Sequence, residues 1–179
     1  MRRTFAVLVM TACASAASAQ VAWVGLAAGT SWEWQAPTAP DQNFLHSSEG
    51  APTAFLAFPL DEDTVLRLQA CDLPHVPVID GEGWPGHLRG YTIGTDYFFT
   101  DPIGQSVISA GVGSYALDLK AQHPPAGVEG AKFGWYVGVG QWFRLSRRTR
   151  VTTELTMHHT SHRDSPTIVA FTAGLALAF

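Results

Sequence analysis

The chain has few of the devices that commonly hold exported proteins together or carry them through a membrane. Of two cysteines in 179 residues, Cys13 falls in a leader expected to be removed. Cys71 is then alone, and no internal disulfide can form. No later stretch reaches the roughly 18 continuous apolar residues of a spanning helix. Only 15% of the residues are charged and the formal net charge is −4, which gives no reason to expect nucleic acid as a partner. Hydrogen bonding and packing must therefore stabilise the fold.

The leader is residues 1–19. Met1-Arg2-Arg3 makes a basic start, Phe5 to Ala14 a short apolar run, and Ala17-Ser18-Ala19 a small-residue cleavage site before Gln20. That run is too short to cross about 30 Å of hydrocarbon as a helix. Met10-Thr11-Ala12 is a poor match to the residues that precede a lipoprotein cysteine. Export is expected, with residues 20–179 as one domain.

What the chain does contain is glycine, aromatic residues and short β-type runs separated by turn residues. Eight consecutive strands are predicted, at about 21–34, 51–60, 64–72, 88–99, 105–120, 132–146, 150–161 and 167–179. The last of these alternates strictly. Val169, Phe171, Ala173, Leu175, Leu177 and Phe179 share one face, and small residues occupy the other. A strand that carries so apolar a row must pair with earlier sequence while the row points outward, as in a barrel whose solvent is lipid.

Connection lengths support this architecture. Long polar segments at about 35–50, 73–87 and 121–131 alternate with short turns at Asp61-Glu62-Asp63, Thr100 to Gly104 and Ser146-Arg147-Arg148-Thr149. Such a rhythm is that of an eight-stranded antiparallel transmembrane β-barrel with periplasmic termini, long extracellular loops and short periplasmic turns. Segment 162–166 is the one short outer loop. Pro37, Pro40, Pro74, Pro77, Pro85, Pro124 and Pro125 keep the long loops from forming strands and suit them to display and to an external ligand.

The second face of each strand carries glycines and isolated charges. Arg67, Asp96, Arg144 and Glu154 are predicted to point inward, with Glu33 near a rim, as a lumenal ion-pair network, because buried charges persist only when paired. An eight-stranded barrel is just wide enough for side chains to fill it, so no open pore is expected. Trp32, Trp34, Tyr97, Phe99, Trp135, Phe143 and Phe179 lie toward strand ends, where aromatic girdles meet the lipid–water boundary.

Phe133 to Gly140, the turn Leu145 to Arg148, the strand Thr153 to His159 and the closing Ala173 to Phe179 together resemble the last three strands of small bacterial outer-membrane β-barrel proteins. The resemblance implies a Gram-negative outer-membrane location, surrounding lipid and lipopolysaccharide, and no cofactor or single activity. The row Phe171, Leu175, Leu177 and Phe179 is similar to the signal such proteins present to the barrel-assembly machinery. A non-enzymatic structural or surface-interaction role follows.

One motif offers chemistry instead. His159-Thr160-Ser161 is similar to the His-x-Ser motif of outer-membrane lipid A 3-O-deacylases, and residues two apart stand on one side of a strand. That family follows the Ser with Asn and places an acid in the last strand. Here His162 follows, and Thr167 to Phe179 contains no carboxylate. His158, His162 and Asp164 form a weaker candidate for zinc or copper. His75 and His87 frame another loop.

Overall fold

The computed structural model describes residues 22–34, 45–46, 50–79, 82–100, 104–120, 130–162 and 165–179. The expected leader, Pro37, Pro40, Pro124, Pro125 and Asp164 lie outside the described residues.

Eight long strands form one antiparallel sheet: β1 Trp23–Trp34, β2 Thr53–Pro59, β3 Thr64–His75, β4 Gly86–Thr100, β5 Gln105–Leu119, β6 Ala131–Arg144, β7 Thr149–Thr160 and β8 Thr167–Ala178. Each pairs with its neighbour in sequence, and β8 returns to pair with β1 from Trp23↔Ala178 to Trp34↔Thr167. The sheet is closed. Two short ribbons, Leu45–His46 against β1 and Val78–Ile79 against Glu82–Gly83, decorate the long connections. The third strand runs three residues past its expected end, because Pro74 pairs with His87 near the rim instead of starting the loop.

Outward side chains are those of an apolar belt. Leu26, Ile93, Ile108, Val139, Leu155 and Leu175 are exposed at mid-strand. Aromatic residues stand outward toward both ends, with Trp34 and Phe133 at the long-loop end and Tyr97, Phe99 and Phe179 at the short-turn end. A polar protein surface has been exchanged for the covering a barrel needs in hydrocarbon.

The lumen is layered. Near the long loops, Cys71, Leu73, Leu88, Tyr115 and Ile168 form one apolar cluster. Near the short turns, Phe55, Val65, Phe98, Val107 and Trp142 form another, with Trp142 edge-on to Phe98 at a centroid separation of 5.1 Å. Polar residues fill the space between them.

Inward glycines make that filling possible. Gly94, Gly111 and Tyr136 are consecutive cross-strand partners, and the Tyr136 ring lies over the two glycines. A Cβ at Gly111 would meet that ring and would approach the Gly94 Cα to 2.8 Å. Gly111→Ala is therefore expected to cost about 1–3 kcal/mol by overpacking. The check is the temperature at which the detergent-resistant band of the refolded protein shifts to the unfolded position on a gel. Unchanged mobility of the parent with and without boiling would contradict the barrel itself.

Candidate functional site

The polar layer centres on Arg67, which β3 turns inward between Val65 and Gln69. Its Nη1 donates to Asp96 Oδ2 at 3.2 Å and to Glu154 Oε1 at 2.9 Å, and Nη2 meets Glu154 Oε2 at 2.8 Å. The guanidinium carbon also lies 4.2 Å from the centroid of the Phe55 ring. All three charged groups are buried. The structure thus brings together Arg67 from β3, Asp96 from β4 and Glu154 from β7. Tyr136 Oη, Thr92 Oγ1, Gln69 Oε1 and Asp96 Oδ1 are buried beside this layer without a hydrogen-bond partner among the described residues.

Arg144, the fourth residue expected in the network, departs from it. It shares the inward phase of Trp142 but stands at the short-turn end of β6, exposed. Register explains this: Glu154 faces Gly140, whereas Arg144 faces Arg150. At about 3.3 Å per residue the four-residue offset is roughly 13 Å along the barrel.

Above the ion pairs, β7 turns His158 inward. Its Nδ1 lies 2.8 Å from Tyr115 Oη and its Nε2 3.1 Å from Thr156 Oγ1, while its ring stacks on Tyr136 at 5.7 Å. Nearer the long-loop mouth, His75 Nδ1 lies 2.9 Å from Glu33 Oε2. The Glu33–His75 pair joins β1 to β3 across the shorter β2 that lies between them. Neither contact has a local sequence signal, although the inward glycine rows opposite Tyr115 and Tyr136 mark where large lumenal side chains must lie.

Two members of the weak metal candidate have other partners. His158 is held by Tyr115 and Thr156, and His162 places Nδ1 2.9 Å from Thr160 Oγ1. Asp164 lies outside the described residues, among which no cluster of three or more His, Cys, Asp or Glu could hold a metal ion.

His159 and Ser161 stand on the outward side, as their phase requires. They are engaged elsewhere, however. Ser161 Oγ donates to the Phe133 carbonyl at 2.9 Å. His159 Nδ1 lies 3.0 Å from Thr167 Oγ1, and its ring sits 5.4 Å from that of Trp135. In the last strand, where the deacylase motif has its acid, a hydroxyl orients the imidazole. A hydroxyl cannot stabilise an imidazolium as a carboxylate does.

A further charged group lies on the outer wall at the long-loop end. His87 Nδ1 meets Asp72 Oδ1 at 2.7 Å, and Arg89 Nη2 meets Asp118 Oδ2 at 2.9 Å. These paired charges mark the upper edge of the apolar belt on β3 to β5. At the opposite end, the Asp61 carboxylate accepts the backbone N–H of Asp63 at 3.0 Å and of Thr64 at 2.7 Å. Those bonds hold it below the usual carboxylate range. The turn therefore keeps its stabilisation above the ordinary value near 3.8 and loses it as pH falls through the lowered one.

The triad sets a clear mutational order. Arg67→Met leaves two carboxylates facing each other in the sealed lumen and is expected to cost about 3–5 kcal/mol. Adding Asp96→Asn and Glu154→Gln to Arg67→Met should recover most of that loss. Urea unfolding of the barrel in vesicles measures both, and an Arg67→Met barrel as stable as the parent would show that the triad does not hold the lumen together.

No protein-family profile matches the chain, and no curated protein matches it in sequence. Solved structures do match in fold. Neisserial surface protein A superposes with a TM-score of 0.67 at 8% identity, over 88% of this chain and 97% of that one. The N-terminal β-barrel domain of Pseudomonas aeruginosa OprF gives 0.57 at 13% identity, over 88% and 97%. The outer-membrane enzyme PagL gives 0.51 at 14% identity, over 88% and 99%. The chain is a closed eight-stranded antiparallel barrel, with the fold of the small outer-membrane barrels.

Proposed function

We propose that this chain is a non-enzymatic integral protein of the bacterial outer membrane, exported by its leader, with a filled lumen and a structural or surface-interaction role. The observation that carries the proposal is the lumen itself. An ion-paired polar layer lies between two apolar clusters, which supports a lumen filled by side chains without a continuous aqueous path. Function then falls to the surfaces: the long loops for an extracellular ligand, and the outer wall for lipid and lipopolysaccharide. In biogenesis, the exposed row Phe171, Leu175, Leu177 and Phe179 is the part the barrel-assembly machinery reads.

The likeness of His159-Thr160-Ser161 to the deacylase motif favours lipid A acyl-ester hydrolysis as the second reading, with His159 as base and Ser161 as nucleophile, on a fold shared with the outer-membrane enzyme PagL. The geometry counts against it, because the Ser161 hydroxyl is bonded to Phe133 and the acid is replaced by Thr167. Two measurements separate the readings. The purified barrel in planar bilayers should give no stable large channels. Mass spectrometry of lipid A after incubation should show the same acyl pattern with the parent and with Ser161→Ala. Loss of an acyl chain with the parent alone would establish the enzyme, and large steady conductance would overturn the filled lumen.

A further inference from the structure

The two fully described short turns carry opposite charge. Between β2 and β3 stand Asp61, Glu62 and Asp63. Within residues 144–150, spanning the β6–β7 turn, stand Arg144, Arg147, Arg148 and Arg150 and no carboxylate. In a closed ring of eight strands, these two turns are four strands apart, on opposite sides of the same barrel end.

The arginines lack a carboxylate partner among the described residues. Arg144, Arg147 and Arg148 are exposed and Arg150 is half-buried, and none of the four forms an ion pair among the described residues. Arg144 and Arg150 are direct cross-strand partners, an arrangement of like charges that destabilises a sheet. Arg150 lies 5.4 Å from the Trp23 ring centroid. Beside it, in the same cleft, Trp142 Nε1 is a buried donor with no partner among the described residues. Asp61 and Glu62 line the far side of that cleft, but the Asp61 carboxylate already accepts two backbone N–H groups.

The position of the patch identifies what it meets. Leu145 in the turn is 68% exposed and Phe179, next to it in the closing strand, is 69% exposed, and the turn is tied to that strand by Ala178 N donating to Arg148 O at 2.9 Å. Arg147 and Arg148 therefore sit at the edge of the apolar belt, while Arg144 and Arg150, of inward phase, rim the lumen beside them. A partner there must present several anions in the plane where hydrocarbon ends, which is the chemistry of a phospholipid surface.

We propose that the β6–β7 turn is a binding surface for the phosphate headgroups of anionic phospholipids in the adjoining leaflet. The inference rests on the membrane location proposed above. Each basic residue near an anionic lipid surface contributes about 1 kcal/mol, close to a fivefold change in affinity.

The test starts with refolding into phosphatidylcholine vesicles, where a heat-shifted band establishes insertion independently of lipid preference. If the band is absent, the membrane reading fails and the proposal falls with it. The inserted barrel is then placed in nanodiscs of equal phosphatidylglycerol and phosphatidylcholine, and retained lipids are counted by native mass spectrometry. The parent should retain phosphatidylglycerol over phosphatidylcholine by about 25-fold, fivefold for each of Arg147 and Arg148. Arg144→Gln with Arg147→Gln, Arg148→Gln and Arg150→Gln should abolish the preference, and Asp61→Asn with Glu62→Gln should preserve it. Equal retention by the parent and the four-arginine variant would overturn the proposal. So would loss of the preference in millimolar inorganic phosphate at constant ionic strength, which would make the turn a site for free phosphate.

Discussion

The structure depends on the pairing of its first and last strands. In hydrocarbon an unpaired backbone N–H or C=O costs several kcal/mol, so a sheet there must have no edge. Twelve residues of β1 are matched to twelve of β8, Trp23–Trp34 against Thr167–Ala178. Pairing of β1 with β2 is much shorter, covering only Trp23 to Ala27, and is extended by the Thr30–Gly50 bridge and by Ala51 N donating to Gly29 O. The closing seam is therefore among the best-formed in the barrel, and the first hairpin is the weaker side of β1.

Closure also decides where each kind of residue goes. Once the sheet is a cylinder, every strand has one face in the lumen and one outward, and it is the outward face that carries the exposed apolar row. The interior accepts charge only in compensated form, and the Arg67 guanidinium between Asp96 and Glu154 meets that condition. The apolar clusters on both sides separate this layer from water, which strengthens the ion pairs and makes their loss costly. Glycines along the inner wall then set how large the remaining side chains are, as Tyr136 over Gly94 and Gly111 illustrates.

Much of this was legible in the sequence because a period of two is a strong signal when one face must be lipid. The eight strands, the outward row of β8 and the inward phase of Arg67, Asp96 and Glu154 follow from alternation alone. Height along the barrel does not. Arg144 has the phase of a lumenal residue, yet register sets it at the turn opposite Arg150, where it belongs to a different surface. The Glu33–His75 and Tyr115–His158 contacts were hidden for the same reason, since each joins two strands across a shared neighbour, and their relative height depends on two successive strand registers. Pro74 read as a loop residue because proline lacks a ladder donor, but near a rim that loss is tolerated. His159 and Ser161 show the converse. Their shared face was legible, but their hydrogen bonds to Thr167 and Phe133 were not.

Closure is best tested by amide hydrogen exchange on the refolded barrel in lipid vesicles. The account predicts that amides of Leu26 to Ser31 in β1 and of Thr172 to Leu175 in β8 are protected as strongly as those at the centres of β4 and β5. Rapid exchange confined to those two segments would mean that β1 and β8 are free edges of an open sheet, and would contradict the barrel on which the rest is built.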